Sequence, residues 1–322
     1  MSLTSPHSDF EDGLGLLVLD LFPSLTIPSG VRARNAFRLG FKSYYDRKHD
    51  RHASALIRGR REVLCGGGMT TDDLATFEIG IVMAAAMNSN PGIFWLICFI
   101  FADPSLLADI RKEISSIVEV KTGADGSKQA CMDFDSLQKC CPLLVSTWQE
   151  TLRLTNAPIN SRIVLEDTML NNAYLLKKGN VIQMPCGPMH TSSSIWGSDS
   201  NSFDATRFLK TNQEKLERDQ RKSQKMGFAP FGGGAVLCPG RHFATMEILG
   251  AAATLVVGYE IRIKDGGVFR LPKMKKQGLG VQVKHPQDDI KVLIRRREEF
   301  EGCKWTYDFG EGLAGEDMVF KE

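Results

Sequence analysis

At 322 residues, 43% hydrophobic and 24% charged, the chain has an ordinary globular composition and enough length for one large core or two average ones. A formal net charge of +2 creates no field that would single out nucleic acid, so no nucleic-acid partner is expected. The eight cysteines, at 65, 98, 131, 140, 141, 186, 238 and 303, form no Cys-x-x-Cys pair and no regular spacing, which argues against a zinc site or a disulfide framework.

In chain order, the opening MSLTSPHSDFEDG has no basic n-region, apolar h-region or cleavage signal, the marks of a secretory leader. Residues 14–22 predict a helix piece, followed by a loop over 23–30. Residues 31–61, dense in Arg, Lys and His with apolar residues between them, predict a solvated helix that Cys65-Gly66-Gly67-Gly68 breaks. Thr71-Asp72-Asp73 marks a helix start with an acidic first turn. The helix it opens runs into residues 79–102, which carry no charge and are long enough to span a bilayer. Asn88-Ser89-Asn90-Pro91-Gly92 in the middle is costly in lipid, so a buried core helix is expected instead.

Asp103-Pro104-Ser105 closes that helix and opens another, with Leu106, Leu107, Ile110, Ile114, Ile117 and Val118 on one face. A surface loop is expected over 121–129 and a helix over 134–154, ending before Pro158. Short strands are expected at 162–165, 181–184 and 256–263, and the charge run 211–225 reads as a solvated loop. No repeat or low-complexity linker argues for a domain break. The fold class is mainly α with small β-sheets.

The chemistry concentrates in Phe228-Ala-Pro-Phe231-Gly-Gly-Gly-Ala-Val-Leu-Cys238-Pro-Gly-Arg-His. Three glycines let a backbone approach a flat ligand, and a cysteine at a helix start, with Pro239 in the first turn, sits where an anion is favoured. A thiolate is the form that ligates iron. A phosphate loop is excluded because no Gly-Lys-Ser/Thr follows. Upstream, Glu150 and Arg153 are three residues apart, close enough to pair on one helix face.

These segments resemble the cytochrome P-450 superfamily, whose cysteine loop reads Phe-x-x-Gly-x-x-x-Cys-x-Gly. Phe231, Gly234, Cys238 and Gly240 match it, within a loop of about 228–241. The resemblance implies haem as cofactor, with Cys238 as the iron's axial ligand. Val236 stands where many members carry a basic residue for a haem propionate, and Arg162 matches another family position that serves it. Glu150 and Arg153 match the family's Glu-x-x-Arg. Phe203-Asp204-Ala205-Thr206-Arg207-Phe208 resembles its Pro-x-Arg-Phe segment, so Arg207 is expected to complete a structural cluster with that pair.

In the uncharged helix the acid-Thr pair of most family monooxygenases is replaced by Asn88, with Pro91, Phe94 and Trp95. That pattern is similar to the branch holding cholesterol 7-alpha-hydroxylase, sterol 12-alpha-hydroxylase and prostacyclin synthase, which makes Asn88 the catalytic candidate. The bland alternative is a helix-kink residue beside Pro91. Residues 84–92, 155–160 and 277–280 match segments that line the family's substrate pocket.

The resemblance covers about residues 31–300 and implies a cytochrome P-450 fold of which the C-terminal two-thirds are present, a single partial domain over 1–322. The family's N-terminal third, with its membrane anchor, has no counterpart. Three functions stay open. The first is a haem-thiolate monooxygenase acting on an apolar sterol-like or secondary-metabolite substrate, with dioxygen and electrons from an NADPH-dependent reductase. The second is a haem-thiolate isomerase or dehydratase of an oxygenated lipid, and the third a truncated non-catalytic homologue. The family implies the endoplasmic reticulum membrane and leaves a membrane surface open as a partner. A chain without anchor or signal is expected in the cytoplasm if complete.

Overall fold

Prolines start helices rather than interrupt them at both ends of the chain's first loop. In the computed structural model, which describes residues 6–275 and 282–310, α1 (Pro6–Leu19) is followed by α2 (Pro23–Thr26) and α3 (Pro28–Asp46). The loop expected over 23–30 is therefore helical. Pro23 and Pro28 sit in first turns, where a missing N–H costs nothing and the fixed φ suits a helix. The helix expected over 31–61 divides, because Lys48 adopts a left-handed φ of 60° and ends α3 before α4 (Ala55–Gly66) begins. A capping box between Thr70 and Asp73 opens α5 (Thr71–Ala86) at the predicted place.

The described residues fall into two compact units, the first up to Ser89 and the second from Asn90. In the first unit Phe10, Ala33, Ile79, Met83 and Met87 form the apolar centre. Its buried charges are paired, Glu78 with Arg60 at 3.2 Å and Asp50 with Arg61.

The uncharged stretch is not one helix. Two turn residues, Met87 and Asn88, separate α5 from α6 (Ser89–Ala102), although Thr71–Ala102 is long and apolar enough by composition alone to cross a membrane. In the second unit α6 buries Trp95, Leu96, Cys98, Phe99, Ile100 and Phe101, so its lack of charge is that of a core helix. Asp103 Oδ1 accepts from the backbone N–H of Ser105 (2.9 Å) and Leu106 (3.1 Å), capping α7 (Pro104–Ser115). The predicted face of α7 is buried at Leu106, Ile110 and Ile114.

The loop expected over 121–129 is a hairpin instead. β1 (Val118–Thr122) pairs antiparallel with β2 (Lys128–Asp133), leaving only residues 123–127 as the turn. The helix expected over 134–154 breaks at Cys141, with α8 (Leu137–Cys140) before it and α9 (Pro142–Thr155) after it. Glu113 of α7 supplies the missing cap, its carboxylate accepting from the N–H of Leu143 and Leu144 at 2.9–3.1 Å.

β3 (Ile159–Ile163) pairs antiparallel with β6 (Val181–Pro185), close to two expected strands, and between them lies the hairpin β4 (Thr168–Leu170) and β5 (Tyr174–Leu176). Three short helices follow, α10 (Cys186–His190), α11 (Ser193–Trp196) and α12 (Lys210–Glu214). The run expected as a loop over 211–225 is mostly helix, with α13 (Arg218–Gly227) carrying the charges on its exposed side. After the cysteine segment α14 (Arg241–Gly258) extends through 256–258, and only β7 (Tyr259–Ile263) of the last expected strand is extended. β7 pairs antiparallel with β8 (Val292–Arg296), and β9 (Cys303–Asp308) lies parallel to β2.

The main core joins α6, α7, α9 and α14 through residues such as Ile100, Ile110, Leu144, Trp148, Leu249, Ala253 and Val257. Gly92 lets α6 approach α9: a Cβ there would stand 3.1 Å from the Trp148 ring. α14, which follows the segment that concerns function, is thereby packed in one core with α9.

Candidate functional site

Residues 228–240 leave α13 and return to α14 as an irregular loop closed by its own backbone. Ala229 C=O accepts from Gly232 N–H (3.1 Å), Gly234 C=O from Leu237 N–H (3.1 Å), and Phe231 C=O from Cys238 N–H (3.0 Å). Gly232 (φ 82°) and Gly234 (φ 64°) occupy the left-handed region, which accounts for two of the three glycines. Gly233 is extended, and a Cβ on Gly233 or Gly234 would meet nothing within 4 Å. Phe231 is half-buried and packs against the main core.

Cys238 is half-buried, unpaired with any other cysteine, and its Sγ has no hydrogen-bond partner among the described residues. The helix it was expected to start begins later: Gly240 is the N-cap of α14 and Arg241 the first helical residue, so Pro239 lies before the helix, not in its first turn. Arg241 instead turns back, donating from Nη1 to the Cys238 carbonyl at 3.0 Å. Gly240 has an unstrained φ of −79°, and a Cβ there would make an ordinary 3.9 Å contact with Cys238 Sγ, so neither backbone nor space demands glycine. Val236 is exposed.

These features fit a flat iron-bearing ligand. Among the described residues the thiol has no competing partner, Gly233 and Gly234 of the same loop leave open space where a Cβ would stand, and a soft sulfur donor suits iron. Arg162 of β3 is brought to the same loop: Nη2 donates to Gly233 C=O and Nη1 to Ser161 C=O, each at 2.8 Å.

Behind the loop, Glu150, Arg153 and Arg207 come together as expected. Glu150 is wholly buried and Arg153 nearly so. Arg153 grips the Glu150 carboxylate with two hydrogen bonds of 2.7 Å, from Nε and Nη2, while Arg207 Nε donates to the same carboxylate at 3.1 Å. The remaining Arg153 donors reach the carbonyls of His190 (2.6 Å), Ser200 (2.5 Å) and Ser202 (3.1 Å), and its guanidinium lies 5.2 Å from the Trp196 ring centre. Arg207 Nη2 also pairs with Asp199 at 2.8 Å, which holds that carboxyl below its usual range.

Two further residues matter here, of which the sequence reading singled out neither by itself. His190 is wholly buried, with Nδ1 2.8 Å from Asn156 C=O and Nε2 3.2 Å from Ala229 N–H. Burial pushes its pKa down, and the cations Arg153 and Lys284 push it the same way. Asn156, which falls in the 155–160 segment expected to line a pocket, donates from Nδ2 to Pro230 C=O at 2.8 Å. A lone His or Asn has no spacing signal, since its partners lie 34 to 74 residues away.

Asn88 belongs to the first unit, in the turn between α5 and α6. Residues 277–280, expected to line a pocket, lie outside the described residues.

A family model described as Cytochrome P450 matches residues 41–292. A cytochrome P450 monooxygenase of Gibberella zeae is 34% identical over 321 residues, which is 96% of this chain and 60% of that protein. Another, nodJ of Hypoxylon pulicicidum, is 33% identical over 305 residues, 94% of this chain and 59% of its own length. The cholesterol 7-alpha-monooxygenase of Cricetulus griseus is 26% identical over 234 residues, 70% of this chain and 46% of that one. The chain thus spans about three-fifths of the first two relatives.

Proposed function

The chain belongs to the cytochrome P450 family, and from that we propose that it is a haem-thiolate monooxygenase, or the C-terminal part of one, with Cys238 as the iron ligand. The observation that carries this reading is the cysteine loop: a sulfur without a partner among the described residues, in one loop with Gly233 and Gly234, where a Cβ would meet nothing. Residues 1–322 then form one partial domain of the family. The substrate class is an apolar sterol-like or secondary-metabolite compound, a reading supported by the names of the relatives. Electrons come from an NADPH-dependent reductase, and a membrane surface is a further partner.

Haem held by Cys238 would supply dioxygen activation, with the thiolate as its electron-donating ligand. The chain's own contribution is positional. The Phe231 carbonyl fixes the Cys238 amide, Arg241 fixes its carbonyl, and Arg162 holds the glycine turn through Gly233. With one donor each on Gly233 C=O and Ser161 C=O, Arg162 has N–H groups left that would hold a propionate, in place of the basic side chain that Val236 lacks. Asn88 contributes an amide that can hold a water or a substrate oxygen, though it cannot titrate.

The monooxygenase reading is preferred over an isomerase or dehydratase because the three relatives described above all carry monooxygenase names. The test is a reduced, carbon-monoxide-treated sample of the haem-loaded chain. The expected result is the red-shifted Soret band of thiolate ligation, lost in Cys238→Ser, with substrate oxidation dependent on NADPH and a reductase. A wild-type chain that takes up no haem, or that gives the same band without Cys238, overturns the assignment.

A further inference from the structure

His190 is hydrogen-bonded on both sides, to the buried cluster through its backbone and to the cysteine segment through its ring. None of Glu150, Arg153 and Arg207 has a hydrogen bond to residues 228–240 among those described. Their carboxylate and guanidinium groups reach only one another, Asp199, the Asp204 amide and the carbonyls of His190, Trp196, Ser200 and Ser202. The His190 backbone receives Arg153, and the His190 ring receives the cysteine segment. Its ring nitrogens face unlike partners. Asn156 C=O can only accept, so Nδ1 carries the proton, and Ala229 N–H can only donate, so Nε2 presents its lone pair. One neutral tautomer satisfies both, and the ring is seated against Phe228, 5.8 Å between centres.

From Ala229 the bonding continues to the cysteine. Its amide is held by His190, its carbonyl accepts from Gly232, and Phe231, two residues on, accepts from Cys238 N–H. Asn156 holds the residue between, through Pro230 C=O. We propose that His190 is a positioning residue that ties the buried Glu150–Arg153–Arg207 cluster to the cysteine loop through the Ala229 amide, and so sets where Cys238 Sγ stands. The consequence for ligation rests on the haem-thiolate reading; the tether is a property of the chain alone. A buried histidine that merely fills space would have no need of a single tautomer or of an acceptor at Nε2.

Two substitutions separate these roles. In His190→Gln the terminal amide oxygen reaches the Nε2 position and can still accept from Ala229; in His190→Asn the side-chain amide reaches only the Nδ1 position. The measurement is backbone hydrogen exchange over residues 228–240 in the full chain without haem. His190→Asn is expected to speed exchange of the Ala229 and Cys238 amides about fivefold, the effect of one lost net hydrogen bond, while His190→Gln stays near wild type. Once loaded, the Asn variant should lose part of its thiolate Soret band and the Gln variant should keep it.

Equal behaviour of the two variants in the loop, whether both wild-type-like or both exchanging faster, overturns the proposal. Should both variants fail to fold, nitrogen chemical shifts of His190 in the wild-type chain decide it, because a proton on Nε2 is incompatible with the tether. If the wild-type chain takes up no haem, the proposed function fails while the exchange and tautomer results still judge the tether.

Discussion

Replacing Arg153 with alanine removes the side chain that most of the buried polar network shares. Arg153 is 1% exposed and donates five hydrogen bonds: two to Glu150, and one each to the carbonyls of His190, Ser200 and Ser202. Without it the Glu150 carboxylate, wholly buried, keeps only Arg207 and the Asp204 amide, and three carbonyls lose their donor. Breaking a buried ion pair by deleting one partner costs about 3–5 kcal/mol. Each orphaned buried carbonyl adds roughly 1 kcal/mol or more, with relaxation offsetting part of the sum. Against a total stability of about 5–15 kcal/mol for a domain, this removes a third or more.

All four tryptophans, at 95, 148, 196 and 305, belong to the second unit, so their fluorescence during urea unfolding reports that unit. With m of roughly 2–3 kcal/mol/M, the midpoint should fall by about 1–2 M at unchanged m. Arg153→Lys should recover only part of the loss, because a point charge cannot replace a guanidinium fork that spans one carboxylate and three carbonyls. A loss below about 1 kcal/mol in Arg153→Ala would refute the view that this residue organises the region, since that is no more than one of its broken contacts costs.

Three further outcomes follow from the same coordinates. Gly250→Ala should destabilise the second unit by about 1–3 kcal/mol, because a Cβ there would stand 2.1 Å from the Phe134 ring, and a thermal melt would show it. Gly234→Ala should cost about 1–2 kcal/mol for the left-handed backbone alone, since its Cβ meets nothing; a larger loss in the melt would mean that the loop packs more tightly than it does here. The burial-depressed pKa of His190 makes stability depend on pH. Below the unfolded value of about 6.5 the unfolded chain binds a proton that the folded chain resists, so stability falls with falling pH, by at most about 1.4 kcal/mol per unit, until the lower folded pKa is passed. His190→Gln should flatten this slope just below pH 6.5, and an unchanged slope would assign the dependence to other groups.

Local chemistry was legible in the sequence. Glu150 and Arg153 meet because three helical residues bring side chains together wherever the helix lies. Gly232 and Gly234 are glycines because the turn itself is left-handed, and Asp103 caps α7 two and three residues ahead. What failed were expectations in which hydrophobicity stood in for context. The polar residues 121–129 hid a hairpin because β1 is almost wholly exposed, so strand pairing, not burial, holds it. The charge run 211–225 hid two short helices for the same reason, and the uncharged stretch hid a break at Met87 and Asn88 that periodicity does not mark.

The tertiary structure alone decided how the site is held. His190 finds Asn156 and Ala229, 34 and 39 residues away, and Asn156 finds Pro230 at 74, because α9, α10 and the cysteine loop converge only after the core has packed. The motif that singles out Cys238 was therefore written in neighbouring residues. The direction in which its sulfur points was written nowhere along the chain, because it depends on backbone groups whose partners are chosen by packing.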